Sequence, residues 1–321
     1  MINPESVITA RGLRKSYRAT TVLDGVDLDV GRGEIFAMLG QNGAGKTTTV
    51  NILTTLIKPD AGTAAIDGFD VVRDAANARG ALSLTGQFAA VDPFQTGAEN
   101  LAMMANLAHL DRRDARRRIT ELLARFDLGA AASRRAGTYS GGMRRRLDLA
   151  ISLLASPPVV FLDEPTTGLD PRSRSQLWSV VRDLATDGTT IFLTTQYLEE
   201  ADQLADTIAV LNAGRIVATG TASQLKSGLK GDRVELTLDG PTAYRSALEI
   251  DFGAGAEFND ERWSVSVPAT NPVAVTRDLL TLADGNAIAV RAIDILKPTL
   301  DDVFLHLTGA GAPTTTEEVA A

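Results

Sequence analysis

The chain has 321 residues, 44% of them hydrophobic and 22% charged, with a net charge of −8. That is an ordinary composition for a globular protein with one large domain and a smaller one, and the acidic balance argues against a nucleic-acid partner. There are no cysteines, which excludes disulfides and thiolate metal sites. No basic start followed by an apolar core marks a signal peptide, and no stretch approaches the roughly 20 apolar residues of a membrane helix. The best candidate, Ala150 to Leu162, is interrupted by Ser156-Pro157-Pro158. A soluble chain is expected, with any membrane role arising through a partner.

In chain order, residues 7–38 predict short strands separated by turns: Val7 to Ala10, Val26 to Val30 and Glu34 to Leu39. The second alternates apolar and polar residues. The third is nearly all apolar and runs into a glycine loop, as a central strand of a covered parallel sheet should. Residues 89–135 predict helix, with Ile119, Leu122, Leu123 and Phe126 on one face and Asp111 or Asp114 as the cap. After Asp163, helical stretches alternate with the strand runs Thr190 to Leu193 and Ile208 to Leu211, the pattern of a doubly wound α/β core. Beyond Gly220 the texture changes. Val234 to Leu238 and Trp263 to Val267 alternate as half-buried strands, Asn271-Pro272 opens a helix ending near Gly285, and Leu300, Val303, Phe304 and Leu307 form another helical stripe. These divisions predict a first domain over 1–227 with a helical subdomain at about 89–155, a small α+β domain over 228–309, and a disordered tail over 310–321.

Three motifs carry chemistry. Gly40-Gln41-Asn42-Gly43-Ala44-Gly45-Lys46-Thr47 fits the phosphate-loop pattern between a strand and a helix. Its glycines let backbone N–H groups turn toward phosphate oxygens, and the helix N-terminus adds partial positive charge. The nucleotide-binding set is Gly40, Asn42, Gly43, Gly45, Lys46, Thr47 and Thr48, with Lys46 reaching the β- and γ-phosphates and the Thr47 hydroxyl ligating Mg²⁺. Asp163-Glu164 ends the apolar run Val159 to Leu162 at the carboxyl edge of a sheet, where ligands bind. Asp163 is the candidate metal ligand and Glu164 the candidate base that polarises a water; a strand-end acidic pair capping a turn is the plainer alternative. Ser140-Gly141-Gly142 opens a helical run, and can be read either as an anion site or as a simple helix cap.

Taken together, Gly40 to Thr47, Tyr139 to Met143, Asp163-Glu164 and Gly168-Leu169-Asp170 resemble the ATP-binding cassette (ABC) ATPases over roughly residues 6–222. The resemblance implies an α/β P-loop NTPase with a RecA-like core, an antiparallel β subdomain and a helical subdomain, here followed by the small α+β domain. It also implies that Ser140, Gly141 and Gly142 close over ATP held by a second, head-to-tail copy, and that Asp170 crosses the same interface. Tyr17 matches the ring stacked on adenine, and Gln87 the glutamine that contacts Mg²⁺ and the attacking water. Gln196 stands where most members carry a histidine near the γ-phosphate; its amide can donate a hydrogen bond but does not titrate. The only histidines, His109 and His306, fall in the helical subdomain and the C-terminal domain.

Met143 to Arg146, Gln196 to Asp202 and Leu300 to Phe304 are similar to the daunorubicin/doxorubicin-resistance exporter subfamily. The resemblance thus implies a Mg²⁺-ATPase subunit that powers export through a separately encoded membrane permease, working as a dimer at the cytoplasmic face of the membrane. Two rivals stand beside it. A soluble non-transport cassette would usually carry two cassettes or a coiled-coil insertion. A weakly active nucleotide-binding scaffold is suggested by Gln196 and by Met143, which stands where the family's signature more often has glutamine, and opposed by intact Lys46, Asp163 and Glu164.

Overall fold

The computed structural model describes residues 6–86, 90–228 and 231–308, in two compact units, Met1–Ala222 and Ser223–Ala321. The tail expected to be disordered lies outside the described residues, as does Gln87.

The first unit opens on a long hairpin, β1 (Ser6–Tyr17) with β2 (Thr20–Gly31). These are much longer strands than the sequence suggests. The reason is a break in alternation: the ladder bulges between Ala10 and Leu13, and Gly12 there takes a left-handed φ of 58°. A glycine with positive φ reads as a turn, yet a bulge inserts it into a continuing strand. The other edge of β1 pairs with β4 (Ala61–Ile66), and β4 with β5 (Phe69–Asp70), completing an antiparallel sheet.

The second sheet is the core. Its order is β10 (Arg215–Gly220), β9 (Thr207–Asn212), β3 (Ile35–Leu39), β8 (Thr190–Thr195), β7 (Val159–Asp163) and β6 (Leu82–Thr85). All but β10 run parallel. Every residue of β3, β7 and β8 is buried, as expected for strands covered on both faces. Phe36, Phe161 and Phe192 sit side by side on them, with ring centroids 5.2 Å apart in each adjacent pair. Residues of the antiparallel sheet, among them Ile8, Leu23 and Val30, pack into the same core. Register aligns the strand ends: Leu39 lies opposite Thr195, and Asp163 opposite Thr194. The carboxyl ends of β3, β7 and β8 therefore meet at one edge.

Helices connect these strands: α1 (Lys46–Leu53), the short α2 (Ala75–Gly80), α6 (Pro171–Thr186) and α7 (Leu198–Leu204). Between β6 and β7 lie α3 (Gly97–Leu107), α4 (Arg112–Arg125) and α5 (Gly141–Ser152). Thr96 and Glu99 form a capping box on α3, while Asp111 accepts from the N–H groups of Arg113 and Asp114 to cap α4. The apolar face of α4 is buried at Leu122 and Leu123, with Phe126 just beyond it fully buried.

The second unit begins within α8 (Ala222–Ser227) and continues through β11 (Arg233–Leu238), α9 (Gly240–Ala247), β12 (Glu257–Asn259), β13 (Ser264–Pro268), α10 (Pro272–Gly285), β14 (Val290–Leu296) and α11 (Leu300–Thr308). Its antiparallel sheet has the order β12-β13-β11-β14. Val234, Leu236 and Val265 on the strands pack with Leu279 and Ala283 of α10. Edge strand β14 escapes sequence detection because most of its residues are exposed, leaving no buried alternate face. Among the described residues no helix is long and apolar enough to cross a membrane.

Candidate active site

The glycine loop links β3 to α1, and its glycines serve different needs. A Cβ on Gly40 would lie 2.5 Å from the Leu211 carbonyl oxygen, and one on Gly45 would lie 2.6 Å from Leu23 Cδ2. Gly45 also takes a φ of +112°, whereas Gly43, at +82°, faces open space. Helix α1 starts at Lys46 with Gly45 as its N-cap, no side-chain cap and no acidic residue in its first turn. Its leading N–H groups and the positive end of the helix are thus left for an anion. Asn42, Gly43 and Thr47 are exposed and Thr48 half-buried, so the loop presents a face to solvent.

Four side chains converge beside that loop. Lys46 is only 4% exposed; its Nζ donates to the carbonyls of Gly40 (2.8 Å) and Gln41 (3.2 Å) and lies 3.4 Å from Glu164 Oε1. Thr47 Oγ1 donates to Asp163 Oδ2 over 3.3 Å, and Thr194 Oγ1 to Asp163 Oδ1 over 2.5 Å. Glu164 takes a left-handed φ of 48°, uncommon for a residue with a side chain. Its N–H donates to the carbonyl (3.1 Å) and hydroxyl (3.2 Å) of Thr194, and Thr167 Oγ1 donates to its Oε2 over 3.4 Å. β3, β7 and β8 thereby bring a lysine, a hydroxyl and two carboxylates to one point. Thr194 and Thr167, which sequence reasoning did not single out, hold the two acids in place; for Thr194 the available signal was the pair Thr194-Thr195 at the end of β8, and for Thr167 there was none.

Gln196 follows β8 directly and is half-buried. Tyr17 is 46% exposed at the end of β1, opposite Thr20, with Lys15 Nζ 5.7 Å from its ring centroid. Val22 and Leu23, a little further along β2, are the residues crowding Gly45, so the hairpin that carries Tyr17 runs past the glycine loop. Both histidines are exposed, His109 just past α3 and His306 on α11.

Ser140, Gly141, Gly142 and Asp170 form a separate group. Ser140 Oγ accepts from the Met143 N–H over 3.2 Å to cap α5. Asp170 caps α6, accepting from the Ser173 hydroxyl (2.6 Å) and N–H (3.0 Å), which hold its carboxyl below the usual range, the hydroxyl most. A Cβ on Gly142 would fall 2.5 Å from Ser173 Oγ, so the two helix starts touch. Ser140, Gly141 and Asp170 are exposed. Of the basic run that follows, Arg145 pairs with Asp148 (3.4 Å) and Arg146 with Asp127 (3.3 Å) rather than facing a phosphate.

The residues fit a magnesium nucleotide. Among the described residues there is no cluster of three or more His, Cys, Asp or Glu, as a dedicated protein cage would need. Mg²⁺ instead takes one or two protein oxygens and completes its shell with phosphate oxygens and water. Thr47 Oγ1 and Asp163, already in contact, are such a pair.

Residues 23–167 match the family described as ABC transporter. The chain is 47% identical over 305 residues to the daunorubicin resistance ATP-binding protein DrrA3 of Streptomyces coeruleorubidus, covering 95% of this chain and 96% of that protein. It is 45% identical over 321 residues to the daunorubicin/doxorubicin resistance ATP-binding protein DrrA of Streptomyces peucetius, covering 99% and 97%. A solved structure of the ATP-binding subunit of an ABC transporter superposes with a TM-score of 0.63 at 29% identity, over 70% of this chain and 93% of that one. With its glycine loop, strand-end carboxylates and parallel core in place, the chain belongs to the ATP-hydrolysing, ATP-binding subunits of ABC transporters.

Proposed function

We propose that two copies of this chain, head to tail, power the export of a hydrophobic drug or lipid-like compound through a separately encoded membrane permease, at the cytoplasmic face of the membrane. The observation that carries the reading is the meeting of Lys46, Thr47, Asp163 and Glu164 at one strand edge, apart from the group of Ser140, Gly141, Gly142 and Asp170, of which all but Gly142 are exposed. One copy offers half of each of two sites. Near-full-length similarity to proteins named for daunorubicin resistance supports a drug-like cargo.

In this reading Tyr17 stacks on the adenine, while the N–H groups from Gly40 to Thr48 and the Lys46 ammonium receive the phosphates. Mg²⁺, when bound to Thr47, Asp163 and Gln87, neutralises phosphate charge. Glu164 orients the attacking water and draws off its proton, and Gln196 donates a hydrogen bond toward the γ-phosphate. Ser140 to Gly142 of the second copy close the site from the opposite side, and Asp170 lies at that interface.

Glu164→Gln tests the assignment. It keeps the side chain's shape and removes the base, so turnover should fall by about a hundredfold or more while nucleotide affinity is retained or rises, since the competing charge on Lys46 is gone. The protein reconstituted with its permease should lose drug efflux in parallel. Equal turnover in the variant and the parent chain overturns the role of Glu164.

A further inference from the structure

We infer that Arg145 and Asp148, about one and two turns into α5, act as a buried clamp that sets the backbone around Glu164 and both ends of the segment carrying Gln87. Arg145 is 8% exposed and spends its fork on main-chain acceptors. Nε donates to the Pro165 carbonyl over 2.9 Å, Nη2 to the Asp163 carbonyl over 3.4 Å and Nη1 to the Gly86 carbonyl over 2.5 Å. Asp163 and Pro165 are the neighbours of Glu164 on either side, so one guanidinium holds the chain before and after it. The partner carboxylate completes the bracket: Asp148 Oδ2 lies 3.4 Å from Arg145 Nη1, and Oδ1 accepts from the Ala90 N–H over 2.9 Å. Gly86 and Ala90 flank the segment with Gln87 between them.

The arrangement is costly as a stability device. Burial pushes the Arg145 guanidinium below its usual pKa and the Asp148 carboxyl above its own, against their mutual attraction. A well-packed apolar pair often stabilises a core as well as a buried ion pair does. An apolar pair cannot, however, engage four backbone groups on two separate segments, and lysine lacks the rigid planar fork that reaches three carbonyls at once. Glu164 has a particular need for such support, because its left-handed backbone persists only where its surroundings enforce it. Since α5 also carries Ser140 to Gly142 at its start, a shift of that helix is passed to the Glu164 backbone through the clamp. Arg145 and Asp148 are thus positioning residues, a role that rests on Glu164 being the base.

The test uses the full chain with Arg145→Lys, Asp148→Asn and their combination, and Glu164→Gln as reference. Turnover, affinity for a fluorescent ATP analogue, melting temperature and amide hydrogen exchange are measured on each. Arg145→Lys should lower kcat about ten- to a hundredfold with nucleotide affinity within about twofold. Exchange should quicken at Ala90 and over residues 163–167, and the double variant should be no worse than the poorer single one. The clamp is overturned if exchange at those amides is unchanged, or if kcat and affinity decline together in step with melting temperature. Wild-type turnover in Glu164→Gln removes the base assignment alone, because exchange still reports whether the clamp orders these segments. The exchange result decides equally if the chain without its permease turns over too slowly to measure.

Discussion

Gly45→Ala is the sharpest probe of how the loop is built. The native φ of +112° is closed to alanine, and the new Cβ would stand 2.6 Å from Leu23 Cδ2, 3.0 Å from the Val22 carbonyl oxygen and 3.5 Å from Leu211 Cδ2. Leu23 is fully buried and cannot swing aside into solvent. Gly43→Ala is the matched control, with a φ of +82° and nothing within 4 Å of its Cβ. A side chain at positive φ costs about 1–2 kcal/mol, which is the whole expected effect at Gly43. Overpacking adds about 1–3 kcal/mol, so Gly45→Ala should cost about 2–5 kcal/mol. For a unit of this size that means melting about 10 °C lower, against about 4 °C for Gly43→Ala. Scanning calorimetry without nucleotide reads the difference. Leu23→Ala gives a second check, since it opens the space the new methyl needs: the double variant should lose less stability than the two single losses combined. Equal destabilisation at Gly43 and Gly45, or strict additivity with Leu23→Ala, would refute the steric account.

Two further expectations concern groups outside the phosphate loop. Burial raises the Glu200 carboxyl above its ordinary value of about 4.5, with the Thr195 and Thr166 hydroxyls, the Trp178 indole and Arg174 opposing it. The native state then keeps the proton longer than the unfolded chain, so this stability is complete below about pH 4.5 and is lost as pH rises through the elevated value. Glu200→Gln should therefore melt with a shallower decline than the parent chain as pH rises above about 4.5, and parallel curves would show that Glu200 does not titrate differently on folding. At the start of α5, Ser140→Ala removes the cap and should cost about 1 kcal/mol, whereas Ser140→Gly should cost only a few tenths. Both variants lose the hydroxyl, so both should weaken ATP-dependent dimerisation of the Glu164→Gln protein in size-exclusion runs. Normal dimerisation of Ser140→Gly would mean the serine only caps its helix.

The candidate site was legible as a cluster because its residues are nearly contiguous: the glycines, Lys46 and Thr47 occupy one loop, and Asp163-Glu164 follow one apolar run. The fold's alternating order was legible for a related reason, since buried parallel strands such as Val159 to Asp163 are unbroken apolar segments. Thr194 was harder to find, because its partner Asp163 lies 31 residues away and is brought opposite only by the β7–β8 register. Arg145 shows the opposite difficulty. Within an arginine-rich run it reads as lying near a phosphate or as pairing with an acidic neighbour; the second holds with Asp148, and only the packing of α5 shows that its other acceptors are main-chain carbonyls. The length of β1 and β2 was masked by local bulges, and β14 by its exposure.

The 3.4 Å contact between Lys46 and Glu164 has a consequence for energetics. The loop's single lysine is paired with the acid across from it. Nucleotide entry is then a swap of counter-ions, in which phosphate oxygens displace a carboxylate from the ammonium. The measured affinity is the difference between two ion pairings. In the proposed reading Glu164 thereby bears on binding as well as on chemistry, because its carboxylate competes with phosphate oxygens for Lys46.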